Sequence, residues 1–116
     1  MDMANSISAN LSRSLDQNDI SGYLRKIKNF PLLSHEDEEN LANEWISKNS
    51  YEAAHKLINA HLRLVVKISM KFRGYGLPLN ELISEGNIGL IQSLNRFDPS
   101  KGFRLSTYAM WWIRAS

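Results

Sequence analysis

Tyr51-Glu52-Ala53-Ala54-His55-Lys56-Leu57-Ile58-Asn59-Ala60-His61-Leu62-Arg63-Leu64-Val65-Val66-Lys67-Ile68-Ser69-Met70-Lys71-Phe72 is the stretch on which the fold turns. Its apolar residues recur at helical spacing, which predicts one long helix from about Tyr51 to Phe72. Leu57, Ile58, Leu62, Leu64, Val65, Val66 and Ile68 are too many for a single stripe, so the helix must touch more than one neighbour and form the centre of the core. The opposite stripe is basic. Lys56, Arg63, Lys67 and Lys71 follow one another at steps of seven, four and four, and no acid falls between Arg63 and Arg73.

Upstream, Lys48-Asn49-Ser50 interrupts the pattern. Before it, Ser34 is a good N-cap with Asp37 three residues on, and Glu36, Asp37, Glu38 and Glu39 crowd a first turn where the helix dipole favours negative charge. Leu41, Ala42, Trp45 and Ile46 supply the buried face of that helix. A short helix from Asp19 carries Tyr23, Leu24 and Ile27 and ends before Phe30-Pro31, because proline disfavours helix in the residue before it. Residues 1–18, rich in Ser and Asn, hold too little apolar surface to offset the entropy of ordering and are expected to form a disordered tail. The helical domain is expected over 19–116.

Downstream, Gly74-Tyr75-Gly76-Leu77-Pro78 is a helix stop and turn, and Asn80 is a candidate cap for a helix running to about Asn95. Leu82, Ile83, Gly86, Leu90 and Leu94 share one side of it, and Gly86 and Gly89 permit a close backbone approach. Asp98-Pro99-Ser100-Lys101-Gly102 is a turn. Ser106 or Thr107 then caps a last helix, Tyr108 to Ser116, which no C-cap glycine or proline closes. With no strand-like alternation and no internal repeat, the class is all-α, a domain of about four to five helices.

A chain of 116 residues suits one domain. The absence of Cys excludes disulfide scaffolds, thiolate metal sites and cysteine nucleophiles, and agrees with a reducing compartment. No leader-like start and no membrane-length apolar run is present, so a soluble, cytoplasmic protein is expected. His35, His55 and His61 lack metalloprotease spacing and read as surface or partly packed side chains, while the glycine pairs lack the Lys-Ser/Thr of a phosphate loop. No catalytic residue, metal or cofactor is expected. The net charge of +2 conceals an uneven distribution: residues 1–60 carry six Lys/Arg against nine Asp/Glu, residues 61–116 eight against three. A basic half with a phosphate-bearing partner follows, nucleic acid first among them.

Two surfaces stand out. Phe103, Tyr108, Trp111 and Trp112 are interleaved with Lys101, Arg104 and Arg114, the combination that stacks unpaired bases and holds their phosphates. Both tryptophans could instead be core, yet neighbours on a helix point about 100° apart, so one is expected to be exposed. The second surface is the outward side of the helix after Pro78: Glu81, Ser84, Glu85, Asn87, Ile88, Ile91 and Gln92, where two isoleucines among polar residues mark a docking face.

The run Glu81-Leu82-Ile83-Ser84-Glu85-Gly86-Asn87-Ile88-Gly89-Leu90-Ile91, with Phe97-Asp98 and then Ser106-Thr107-Tyr108-Ala109-Met110-Trp111-Trp112-Ile113-Arg114, closely resembles the second domain of bacterial sigma-70-type sigma factors. Phe30-Pro31-Leu32-Leu33-Ser34-His35-Glu36-Asp37-Glu38, His61-Leu62-Arg63-Leu64-Val65-Val66 and Gly74-Tyr75-Gly76-Leu77-Pro78 resemble its heat-shock branch. The resemblance runs from about residue 20 to the end. It implies a non-catalytic initiation factor for the heat-shock response. Glu81, Leu82, Ile83, Ser84, Glu85, Asn87 and Ile91 would grip a coiled coil of the largest-class catalytic subunit of core RNA polymerase. Lys101, Phe103, Arg104, Thr107, Tyr108, Trp111 and Trp112 would melt promoter DNA, Tyr108 stacking on a base flipped from the non-template strand and the tryptophans wedging the upstream fork. Arg63, Lys67 and Lys71 form a secondary basic stripe.

Chaperones are a further class of partner, and a module that only occupies polymerase or chaperones without opening DNA is the alternative. Two departures stand out: Ser84 replaces the usual Gln, and Leu105 stands where many members carry a ring. The family also continues its last helix and adds further domains, so the chain is expected to be a fragment truncated in that helix. A helix-turn-helix reader around Gly74 to Pro78 is disfavoured, because the would-be reading helix carries Glu81 and Glu85 and no base before Arg96.

Overall fold

The computed structural model describes residues 20–115, so the tail expected over 1–18 lies outside the described residues. Those residues form five α-helices and no strand: α1 (Ile20–Ile27), α2 (His35–Lys48), α3 (Tyr51–Lys71), α4 (Leu79–Arg96) and α5 (Leu105–Ala115), with a 3-10 turn at Pro99–Lys101 between the last two. The order follows the sequence signals. Ser34 Oγ accepts the Asp37 N–H at 3.1 Å to start α2, and Ser50 Oγ accepts the Ala53 N–H at 3.2 Å to start α3. Asn49, which ends α2 at φ 50, is the left-handed residue that lets the chain reverse between them.

α3 is the central element. Leu57, Ile58, Leu62, Val65 and Val66 are all buried, and they meet Ile83, Leu90 and Leu94 of α4, Leu105, Ala109 and Ile113 of α5, Ala42 of α2 and Tyr23 and Ile27 of α1 in one core. Each such aliphatic side chain contributes roughly 1.5–3 kcal/mol on burial. The tightest point is Gly86. A Cβ there would stand 2.7 Å from Val65 Cγ1 and 3.3 Å from Ile113 Cγ2, so α3, α4 and α5 converge where a side chain is missing.

Four local expectations need correction. Ile46 of α2, expected on the buried face of that helix, is exposed. α4 begins at Leu79, with Pro78 as its N-cap residue, and Asn80 lies inside the first turn. The carbonyl of Pro78 receives the N–H groups of Glu81 and Leu82, both at 3.1 Å, because the ring already holds the backbone in an entry conformation. α5 begins three residues before Tyr108, which places Ser106 and Thr107 within the helix rather than at its cap. His61 is buried, its Nδ1–H donating to the Leu57 carbonyl at 2.6 Å, where a surface or partly packed ring was expected. No helix among the described residues is long and apolar enough to cross a membrane.

Candidate functional site

The outward side of α4 is narrower than its sequence suggests. Glu81, Glu85, Ile88 and Gln92 are exposed, and Ser84 and Leu82 are half-buried. Ile83 is fully buried, and Asn87 and Ile91 are only 2% exposed, which corrects the expectation that both lie on the free face. Ile83, Asn87, Ile91 and Leu94 form a stripe at steps of four, four and three that turns into the core. Asn87 Nδ2–H donates to Tyr23 Oη of α1 at 3.2 Å, while its Oδ1 is buried with no hydrogen-bond partner among the described residues. Burial pushes the Tyr23 hydroxyl above its ordinary pKa, the Asn87 contact pulling the other way.

The aromatic end is assembled from the α4 terminus, the 3-10 turn and α5. Tyr108 is half-buried, with its ring 6.1 Å from that of Phe97 and 6.3 Å from that of Trp112. The Arg96 guanidinium lies 5.3 Å from the Trp112 ring. Trp111, one residue along, is 70% exposed, the divergence expected of helical neighbours. Phe103, Lys101 and Thr107 are exposed as well. Tyr108, Phe103, Phe97, Lys101, Arg96 and Asp98 line an open hollow of about 200 Å³. Of these, Arg96, Phe97 and Asp98 escaped the sequence reading as site residues. Asp98 accepts both the hydroxyl and the N–H of Ser100, at 2.6 and 3.0 Å, which hold its carboxyl below the ordinary pKa and fix the turn carrying Lys101.

The basic residues divide into free and engaged. Lys67 and Lys71 are exposed on α3. Arg63 is not part of a free stripe: it donates to the carbonyls of Lys28 and Phe30, at 3.0 and 2.9 Å, and clasps the segment joining α1 to α2. Arg104, expected to face phosphate, donates to both carboxylate oxygens of Glu38 at 3.3 Å and to the Leu33 carbonyl at 3.1 Å.

Glu38 itself is 3% exposed. Its Oε2 accepts the Leu105 N–H at 2.9 Å, and the His61 Nε2 stands 3.6 Å from its Oε1. Burial works to raise the pKa of this carboxyl, but the His61 ring, the Leu105 N–H and the Arg104 guanidinium outweigh it and hold the value at about 2. A second hollow, about 240 Å³, opens beside Glu38, His61, Arg104 and Ser106. No group of three or more metal-ligating side chains occurs among the described residues.

Residues 57–116 match the family model for Sigma-70 region 2. The chain belongs to the sigma-70 family. It is 58% identical over 97 residues to the RNA polymerase sigma factor RpoH of Caulobacter vibrioides, covering 84% of this chain and 33% of that protein. It is 53% identical over 97 residues to RpoH of Rhizobium radiobacter, covering 84% and 32%, and 45% identical over 96 residues to the RNA polymerase sigma-C factor of Myxococcus xanthus, covering 83% and 32%. The chain therefore spans about a third of the length of these curated relatives. The sigma-70 match takes in α4, the 3-10 turn and α5 entire, so both candidate surfaces lie within it. Members of this family are transcription initiation factors, not enzymes.

Proposed function

We propose that this chain docks on core RNA polymerase through the exposed side of α4 and captures unpaired bases of the non-template promoter strand at the aromatic end of α5, acting in the cytoplasm as part of a heat-shock sigma factor. The observation that carries this reading is the hollow lined by Tyr108, Phe103 and Phe97, with Lys101 and Arg96 at its rim. A ring face beside cations is what a flipped base requires: stacking offsets the few kcal/mol lost on leaving the duplex, and the cations hold the backbone. Trp112, braced by Arg96 and Tyr108, and the exposed Trp111 would serve as the wedge at a fork, a role their ring contacts and exposure support.

Docking falls to Glu81, Ser84, Glu85 and Ile88, with Leu82 beside them. Asn87, Ile91 and Ile83 serve that face from beneath, through its packing. Lys67 and Lys71 form an outlying basic patch for duplex phosphates.

The test is binding of a non-template-strand oligonucleotide to the chain held on core polymerase. Tyr108→Ala should weaken it about 5- to 150-fold, matching roughly 1–3 kcal/mol of stacking, and Tyr108→Phe far less. If folded Tyr108→Ala binds as tightly as the parent, base capture is refuted and the chain is an interaction module that does not open DNA.

A further inference from the structure

α5 carries every residue of the aromatic cluster after Phe103, and its first turn is held by a side chain from elsewhere. The opening N–H groups of a helix have no intrahelical acceptor. At α5 the Leu105 N–H finds one on Glu38 of α2, 67 positions earlier in the chain, at 2.9 Å. A buried carboxylate thus sits where the helix dipole is positive, as an N-cap does, but supplied in trans. The preceding residue is fixed by the same group. Arg104 grips both oxygens of Glu38 and the Leu33 carbonyl, and the Arg104 carbonyl in turn accepts the N–H groups of Thr107 and Tyr108 at 3.1 and 3.3 Å. A chain of hydrogen bonds therefore runs from Glu38 through Arg104 and Leu105 to the backbone of Tyr108.

The cluster has the form of an orienting device. A buried ion pair is weak evidence for stability, since desolvation cancels much of its attraction, but its geometry is exacting. Two oxygens of Glu38 set the position of Arg104 and the phase of Leu105 together. One turn later, that phase decides where the Tyr108 ring lies against Phe97 and Trp112.

We propose that Glu38 is a positioning residue for base capture, capping α5 from α2 and thereby setting the Tyr108 ring. The proposal rests on the base-capturing reading of Tyr108 given above. It assigns to α2, outside the residues matched by the family model, a direct part in shaping the single-strand surface.

The experiment uses the chain bound to core polymerase and a non-template-strand oligonucleotide carrying 2-aminopurine at the captured position. Glu38→Ala should weaken binding about 10-fold, the upper part of what loss of an N-cap produces, and Glu38→Gln, which keeps an acceptor for the Leu105 N–H, should weaken it less. The 2-aminopurine emission, quenched by stacking in the parent, should recover in Glu38→Ala. In a Tyr108→Ala background, Glu38→Ala should add no more than about 2-fold, because the two act through one ring. Equal losses in both backgrounds overturn the proposal, showing that Glu38 supports the fold at large or touches the strand itself. So does parental binding by Glu38→Ala while Tyr108→Ala is impaired. If Tyr108→Ala binds like the parent, base capture fails and this proposal with it, a pattern distinct from failure of positioning alone. Should Glu38→Ala lose helicity, the isosteric Glu38→Gln carries the same comparison.

Discussion

Asn87 of α4 and Tyr23 of α1 meet side chain to side chain, Nδ2 to Oη at 3.2 Å, in a seam where both are almost fully buried. Their bond links positions 64 residues apart and seats the short α1 on the body of the domain. Tyr23→Phe would leave the whole Asn87 amide without a partner, at a cost of about 1–3 kcal/mol. The urea midpoint should fall accordingly. Asn87→Leu added to Tyr23→Phe should recover part of that loss, since replacing both partners by apolar groups removes the unsatisfied amide. No recovery in the double variant would show that the amide is satisfied in another way.

On the proposed polymerase-docking face, exposure separates candidate docking residues from structural ones. Glu81→Arg combined with Ile88→Asp should abolish capture of core polymerase in a pull-down and leave helical circular dichroism unchanged. Ile91→Asp should instead unfold the chain, because a carboxylate at a 2% exposed position faces the core without a partner. Retained capture by the folded Glu81→Arg/Ile88→Asp chain would move the docking surface elsewhere.

Glu38 makes stability depend on acid. Its folded pKa, about 2, lies below the ordinary value of 4.5, so its contribution is fully present above about pH 5 and is lost as pH falls toward 2. The parent should lose thermal stability steeply between pH 5 and pH 3. Glu38→Gln should be less stable at pH 7 and show a flatter profile over the same interval. Parallel profiles for the two proteins would mean that another carboxyl dominates.

Lys101 and Arg104, alike in the sequence, should behave differently. Lys101→Ala should weaken all oligonucleotides alike and reduce the slope of log K against log salt by about 1, as loss of one phosphate contact does. Arg104→Ala should change that slope little and lower the melting temperature, because its guanidinium is already committed to Glu38 and Leu33. Equal salt slopes for parent and Lys101→Ala would remove Lys101 from the phosphate-binding set.

Much of the architecture was legible in the residues because it rests on local chemistry. Ser34 caps as a hydroxyl ahead of a helix does, and the apolar excess of α3 marks it as central. The divergence of Trp111 and Trp112 follows from helical geometry alone. What could not be read was which of several equivalent-looking residues turns inward. Glu38 sits among Glu36, Asp37 and Glu39, all suited to a helix N-terminus, yet only Glu38 lies opposite Arg104 and Leu105, more than sixty residues away. Asn87 looks like part of an open face until Tyr23 of α1 is in place. Arg63 and Arg104 were misplaced for a related reason, since the carbonyls of Lys28, Phe30 and Leu33 that engage them are invisible in a list of side chains.

The missing side chain at Gly86 has a consequence for how the two surfaces work together. Val65 of α3 and Ile113 of α5 both close onto that one α-carbon of α4, and valine has little rotameric freedom with which to yield. α4 and α5 are thereby held in close packing, one bearing the proposed docking residues and the other the exposed rings. If α4 docks as proposed, the heading of α5 in space is set with it, so a captured strand would meet an aromatic surface whose direction was fixed at the moment of docking.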